Sequence, residues 1–168
     1  MSVIDIKNTE VAFRDGSATA NFLVVKIGDG NLTYTEKVNR EYIRDRGNLD
    51  SVRNGDEEPL EVSMDFQWEF LTASVGEEAT PSDVLKKQGE AASWVSSGAD
   101  LCEPYCIDII IEYEPGCSPT QNEQIILPEY RYESLSHDVR NGTVSTAGMC
   151  NITQATLARY AAVSTGLI

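Results

Sequence analysis

The segment from Leu60 to Phe70 constrains the fold of this chain more than any other part of the sequence. It reads LEVSMDFQWEF, so large apolar side chains alternate without exception with polar ones. Because successive side chains of a β-strand point to opposite faces, this pattern predicts a strand with one buried and one solvated face. The solvated face carries three carboxylates and no basic residue, namely Glu61, Asp65 and Glu69. We expect an antiparallel sheet with an acidic outer side.

A second alternating segment runs from Tyr105 to Tyr113. Its odd-numbered positions are all large and apolar, whereas Asp108 and Glu112 share the opposite face with one apolar exception, Ile110. This pattern predicts a second strand of the same kind, with both carboxylates facing solvent. Like charges on one face of a sheet destabilise it, so a face of one sign indicates a function. Carboxylates in such similar environments favour repulsion of a polyanion over acid–base catalysis.

Local signals place the helix and the first hairpin. The turn residues Gly28-Asp29-Gly30-Asn31 predict a β-hairpin that joins strands at residues 19–27 and 32–38. Thr80-Pro81-Ser82-Asp83 is a capping box with proline at the first helical position, which predicts one helix over residues 80–90.

The remaining patterns complete a mainly β chain. Further strands are predicted at Val3–Ile6, Glu10–Phe13, Gln124–Glu133 and Thr143–Thr153. We expect residues 1–168 to form a single domain, since this length suits one sizeable core. The expected fold is an antiparallel β-sandwich or half-barrel with one flanking α-helix, a long loop and a C-terminal segment over residues 157–168.

Residues 39–59 are predicted to form the long loop, because they show no sustained apolar periodicity. Between Glu36 and Asp56 five acidic residues balance five basic ones. Long loops in compact domains are usually functional, and a mixture of both signs suits a protein–protein contact made by ion pairs. A calcium loop is the alternative, but the acidic residues of this segment miss the spacing of the EF-hand.

Composition disfavours several functions. The formal net charge is −14, from 27 acidic and 13 basic residues, which disfavours binding to nucleic acid or to an anionic membrane. The only histidine lies in Ser136-His137-Asp138, and three contiguous residues cannot align as a catalytic triad. Phosphate-binding and dinucleotide motifs do not occur, so we expect neither an enzyme nor a cofactor. The N-terminus lacks the features of a leader, which favours a protein made in a cytosol.

Four cysteines lie at Cys102, Cys106, Cys117 and Cys150. Their spacing does not provide the two compact ligand pairs of a closed zinc site, so no metal is expected. Buried thiols remain open as an interpretation, and so do two disulfides, Cys102 with Cys106 or Cys117 with Cys150.

The order of these segments resembles that of a tail tube protein, the major tail protein of long-tailed bacteriophages. The resemblance lies in the segments Leu32-Thr-Tyr-Thr-Glu-Lys, Arg44 to Pro59, Val62 to Trp68, Pro128 to Asp138 and Gly148-Met-Cys-Asn-Ile-Thr. It implies that six copies close a ring through a shared inner barrel, and that rings stack into a tube through which the genome leaves. The implied location is the virion tail, assembled in the cytoplasm of the bacterial host.

The resemblance also assigns partners. They are further copies of the chain, the tape measure, the tail terminator, the baseplate or tip and, in contractile tails, a sheath. The long loop would bridge neighbouring rings through its charged residues, Arg40, Arg44, Asp45, Arg46, Asp50, Arg53 and Asp56. DNA would pass the lumen without specific binding, because a basic wall would hold it through counterion release whereas an acidic wall would not.

The carboxylates expected to face that lumen are those of the two alternating strands, Glu61, Asp65, Glu69, Asp108 and Glu112. A second hypothesis comes from a different functional class. An acidic β-sandwich that binds or adheres as a monomer would show the same composition, and microscopy would separate it from a tube.

Overall fold

The computed structural model of the protein describes residues 6–28, 30–68, 79–114 and 122–160. Strands dominate these ranges, which confirms the predicted mainly β fold class. The strands are β1 (Thr9–Arg14), β2 (Phe22–Val25), β3 (Leu32–Thr35), β4 (Val38–Asp45), β5 (Asn48–Glu57), β6 (Leu60–Gln67), β7 (Ile107–Tyr113), β8 (Asn122–Asp138), β9 (Thr143–Cys150) and β10 (Thr156–Tyr160). One short helix, α1 (Pro81–Lys86), and two 3-10 turns, Ile6–Asn8 and Gly89–Ala91, accompany them.

Eight of the strands form one antiparallel sheet in the order β2-β1-β7-β8-β9-β6-β3, with β10 also paired to β8. The long strand β8 belongs to two layers. Its first half pairs with β7 and β10, and its second half pairs with β9. Tyr130 lies at the junction, because it is in register with Ile107 on β7 and with Cys150 on β9.

The sheet folds over so that its two halves face each other. The rings of Phe13 on β1 and Phe66 on β6 meet edge to face with centroids 6.4 Å apart. These strands are four steps apart in the sheet, which in a flat sheet would separate them by about 19 Å. The contact therefore requires a sandwich or half-barrel, as predicted. The predicted alternation of β6 is confirmed, because Leu60, Val62 and Met64 are buried in the core together with Phe66.

The predicted hairpin between residues 19–27 and 32–38 is wrong. Strand β2 pairs with β1, and β3 pairs with β6. The connection between β2 and β3 bonds to the end of β6 instead, since the N–H of Gln67 donates to the carbonyl of Lys26 at 2.8 Å. Gly30 is required there, because a Cβ at this position would lie 2.5 Å from the backbone oxygen of Asp65. The glycine-rich turn thus links the two ends of the folded sheet.

The predicted loop over residues 39–59 is also wrong, because this segment forms a β-hairpin. Strands β4 and β5 make a two-stranded antiparallel sheet of their own. Arg46 and Gly47 at its tip have positive φ angles of 51° and 87°. Two such residues are what a tight two-residue hairpin turn needs. The sequence indicates this turn only weakly, because arginine is uncommon in a backbone conformation with positive φ.

The helix begins as predicted and ends earlier. The hydroxyl of Thr80 accepts a hydrogen bond from the N–H of Asp83, and the Asp83 carboxylate accepts one from the N–H of Thr80, which confirms the capping box. The helix ends at Lys86, where Lys87 adopts a left-handed conformation with φ of 52°. Val84 and Leu85 pack into the core. No helix in the described part of the chain is long and apolar enough to span a membrane.

Some predictions concern residues outside the described ranges. They are the strand at Val3–Ile6 apart from its last residue, the carboxylate of Glu69, the thiol of Cys117 and the last eight residues of the C-terminal segment.

Candidate assembly surfaces

The hairpin of β4 and β5 is the most exposed element of the described structure. Every residue of β4 is exposed, and so is every residue of β5 except the half-buried Gly55. Large apolar side chains are among them, with Leu49 exposed to 70% and Tyr42 to 63%. An isolated two-stranded hairpin is at best marginally stable in water. Apolar side chains on such an element indicate a surface that packs against a partner.

All seven charged residues predicted for inter-ring contacts lie on this hairpin. Arg53 forms an ion pair with Glu41 on the opposite strand. Arg40 donates a hydrogen bond from Nη1 to Oδ1 of Asn54 at 3.1 Å. Asp50 lies where the register shifts between the two strands. The apolar residues of this surface were not predicted from the sequence, although aromatic and β-branched residues between arginines are a usable signal for an exposed strand.

A shallow groove lies at the root of the hairpin. It has a volume of about 640 Å³ and is lined by Glu57, Glu58, Pro59 and residues 151–154. Most of these residues are polar, whereas small-molecule sites are mostly apolar with a few placed polar groups. The groove does not resemble a catalytic pocket.

Strands β3, β6 and β9 and the second half of β8 form one layer of the folded sheet, which we call the second layer. Two of the predicted lumen carboxylates lie on its outer face. Glu61 and Asp65 alternate on β6 with the buried core residues and are partly exposed. A salt bridge joins Glu61 to Lys37, with 2.6 Å between Oε1 and Nζ. The pKa of Lys37 is raised chiefly by this hydrogen bond.

The rest of that outer face consists mostly of short polar side chains. The register of β3, β6, β9 and β8 brings hydroxyl-bearing residues onto the same side of the layer as Glu61 and Asp65. They are Thr33, Thr35, Ser63, Thr143, Ser145, Ser134 and Ser136. We call this surface the hydroxyl face. It is mostly polar, and its longer side chains include those of Gln67, Met149 and Arg131.

Asp108 and Glu112 do not face solvent, so the expectation of a second acidic, solvated face is wrong. Both side chains are buried, at 8% and 7% exposure. Arg14 binds Asp108 with Nη2 and Oδ2 2.6 Å apart. Glu112 accepts a hydrogen bond from Asn122 at 3.3 Å. The apolar exception at Ile110, which is itself fully buried, was the sign that β7 is covered on both faces.

Glu10 shares the buried environment of Glu112. The two residues are in register on β1 and β7. Burial raises the pKa of Glu10, and the neighbouring charge of Glu112 raises it further. Glu10 is half-buried and Glu112 is buried, so this pair does not form an exposed acidic surface on the described chain.

The described cysteines are free thiols. Cys102 is exposed, whereas Cys106 and Cys150 are buried. The predicted bridge between Cys102 and Cys106 is therefore wrong, and Cys150 carries no disulfide. Burial raises the pKa of Cys150 to about 12, so this thiol stays protonated at neutral pH. Within the described ranges, no group of three or more His, Cys, Asp or Glu side chains is arranged to hold a metal ion.

The second layer has two open edges. Strand β3 ends the path of the sheet on one side. On the other side, β7 pairs with β8 only up to Tyr130, so residues 131–138 bond to β9 along one edge and to no other described strand. Unpaired strand edges carry backbone donors and acceptors that readily pair with another chain.

Comparisons with known proteins find the fold but no sequence relative. No family model matches the chain, and no curated protein matches it. Among solved structures, it is similar to a chain of the sheath/tube terminator of an extracellular contractile injection system, PVC, in the extended state. The TM-score is 0.56 at 11% identity, covering 96% of this chain and 99% of the other.

A chain of the PVC sheath-tube complex in the extended state is also similar. Here the TM-score is 0.51 at 11% identity, with coverage of 95% of this chain and 92% of the other. The likeness shows a shared fold over nearly the whole length.

Proposed function

We propose that this chain is a structural subunit of a tail tube. Six copies close into a ring, rings stack through the hairpin, and the resulting tube conducts DNA. The observation that carries this proposal is the hairpin of β4 and β5, which is exposed on both faces, contains apolar residues and is nearly neutral on an acidic protein. An element of this kind gains its stability from a partner.

The open edges of the second layer supply the contact between neighbours in a ring. The edge of β3 in one copy would pair with residues 131–138 of the next copy. These two edges are different surfaces of the same molecule, so the contact is head to tail, and such contacts close into rings when the rotation allows it. Closure would hide both edges and thereby prevent uncontrolled strand pairing.

A ring closed in this way would turn the hydroxyl face toward its lumen or its outside. We assign it to the lumen, because the carboxylates of Glu61, Asp65 and Asp138 outnumber the cations of Arg131 and of Lys37, which pairs with Glu61, and most of its other side chains are short. DNA repelled by such a wall slides rather than binds. Repulsion acts over only about 8 Å at physiological salt, so these carboxylates matter only if they line the bore.

The similar structures support the proposal. Both come from an extracellular contractile injection system, one from its sheath/tube terminator and one from its sheath-tube complex. A structural role beside sheath and terminator proteins agrees with these neighbours, and the tape measure and baseplate are further partners that we propose from the resemblance to tail tube proteins. The virion or another extracellular particle is the corresponding location.

Electron microscopy of the purified chain, compared with a variant that lacks the hairpin, tests the proposal. Val38 and Glu57 are in register at the hairpin root, so residues 39–56 can be replaced by Asn-Gly with little effect on the body. We expect stacked rings from the wild type, and single rings or monomers from the variant. Circular dichroism should show that the variant keeps its β structure.

Three other outcomes would change the conclusion. Tubes of normal length from the variant would show that the hairpin is not the stacking element. Single rings from the wild type at every concentration would favour a terminator, as in one of the similar structures. A wild type that stays monomeric would favour the acidic binding module and overturn the proposal.

A further inference from the structure

The register of the hairpin separates its side chains into two faces. Arg40 and Asn54, Tyr42 and Val52, and Arg44 and Leu49 are paired across the strands and share one face. The hydrogen bond from Arg40 to Asn54 confirms that the first pair lies side by side. We call this the arginine face. The opposite face carries the pairs Glu41 with Arg53, Ile43 with Ser51 and Asp45 with Asn48.

The two faces differ in charge. On the arginine face, Arg40 and Arg44 stand opposite uncharged partners, and the pair of Val38 with Glu57 at the hairpin root adds one carboxylate, so the registered pairs of this face carry two positive charges and one negative charge. On the opposite face the ion pair of Arg53 with Glu41 neutralises itself, and Asp45 adds a negative charge. The arginines of the first face are therefore available to a partner, whereas Arg53 is already engaged.

The faces also differ in exposed apolar surface. Tyr42, Leu49 and Val52 lie on the arginine face, exposed to 63%, 70% and 53%. Ile43 is the apolar residue of the other face and is exposed to 43%. Aromatic residues and arginines together are typical of the central residues of protein interfaces, where a few side chains provide most of the binding energy.

The charge of the remaining molecule indicates the partner. Val38–Glu57 contains four arginines and five carboxylates, which leaves −1 on the hairpin and −13 of the total −14 on the rest of the chain. A cationic, partly apolar face is complementary to the acidic body of a second copy and would be repelled by a basic one.

We propose that the hairpin docks on a second copy of this chain through the arginine face alone, with Tyr42, Leu49 and Val52 buried and Arg40 and Arg44 paired with carboxylates. This inference rests on the proposed function, in which the hairpin joins copies. It adds that the opposite face stays in solvent.

Matched double variants on the two faces test the inference. One carries Val52→Ser and Arg44→Gln on the arginine face, and the other carries Ile43→Ser and Arg53→Gln on the opposite face. Each pair removes one aliphatic side chain and one positive charge from an exposed strand, so the body of the protein is unaffected. The measurement is the lowest protein concentration at which tubes sediment.

We expect the arginine-face variant to raise this concentration about tenfold or more, as truncation of central interface residues does. The opposite-face variant should change it by less than about threefold, since exposed ion pairs contribute little. Added salt should weaken assembly of the wild type, because it screens attraction between the arginines and carboxylates.

Equal effects of the two variants, or a larger effect on the opposite face, would overturn the inference while leaving the proposed function intact as long as the wild type forms tubes. Assembly that added salt leaves unchanged would refute the pairing of arginines with carboxylates. A wild type that never assembles would overturn both the proposed function and the inference.

Discussion

Replacement of Asp15 by asparagine should destabilise the fold strongly and in a pH-dependent way. The carboxylate is buried at 2% exposure just after β1. Its Oδ1 accepts hydrogen bonds from the N–H of Asn21 at 2.7 Å and from the hydroxyl of Ser17 at 2.8 Å. Its Oδ2 accepts one from the side-chain amide of Asn21 at 2.8 Å and one from the N–H of Val95 at 3.2 Å. The Asp15 side chain thus holds the connection between β1 and β2 against the segment around Val95.

The size of the effect follows from the donors that Asp15→Asn would leave without an acceptor. An asparagine offers a single acceptor oxygen, so the two donors at Oδ2 would face an NH2 group. Hydrogen bonds to a charged group contribute roughly 1.5–3 kcal/mol each. The free energy of unfolding at neutral pH should fall by about 3 kcal/mol. With an m-value of about 2 kcal/mol/M, the urea midpoint falls by about 1.5 M.

The pH dependence has a definite sign. Burial alone would raise the pKa of Asp15, but the hydrogen bonds from Asn21, Ser17 and Val95 outweigh it and hold the pKa below its ordinary value of 3.8. The folded protein therefore favours the ionised carboxylate. The resulting stabilisation is present above pH 3.8 and is lost as the pH falls through the folded-state pKa.

Urea unfolding followed by circular dichroism at a series of pH values checks this prediction, at protein concentrations where sedimentation finds monomers. The difference between wild type and Asp15→Asn should be largest at neutral pH and shrink in acid. Glu133→Gln makes the same chemical change on an exposed strand residue and should be nearly neutral. A difference that stays constant with pH, or a cost no larger than that of Glu133→Gln, would refute the reasoning.

Two further predictions concern the second layer. Gly148→Ala places a Cβ 2.1 Å from the backbone oxygen of Arg131, so β8 and β9 must separate. Urea unfolding should show that the free energy of unfolding falls by about 3 kcal/mol or more. The control Ala147→Ser should change it by no more than about 0.5 kcal/mol. Glu61→Lys with Asp65→Lys should leave tubes intact but make them retain duplex DNA in a salt-dependent way during co-sedimentation. Tubes of this variant that retain no more DNA than wild type would contradict the lumen assignment.

The parts of the fold that local sequence signals determine could be predicted. The alternation of β6 identified its buried face, and the capping box at Thr80 identified the start of α1, because both patterns act within a few residues. The apolar residue Ile110 indicated a doubly buried strand, but a single exception was too little to outweigh Asp108 and Glu112.

Long-range pairing could not be predicted. Strand β1 pairs with β7, about one hundred residues away, and no local pattern specifies that choice. The hairpin of β4 and β5 was missed for another reason. Its strands are exposed on both faces, so they lack the alternation that burial imposes, and its turn depends on Arg46 in an unusual backbone conformation.

The placement of β8 in both layers has a consequence for how the protein unfolds. A sandwich made of two separate sheets can lose one sheet while the other persists as a partly folded state. Here the chain from Asn122 to Asp138 passes through both layers, and Tyr130 is in register with neighbours in each. Detaching either layer breaks the hydrogen bonds of the same strand, so opening of one layer is coupled to opening of the other. The molecule should therefore behave as a single cooperative unit.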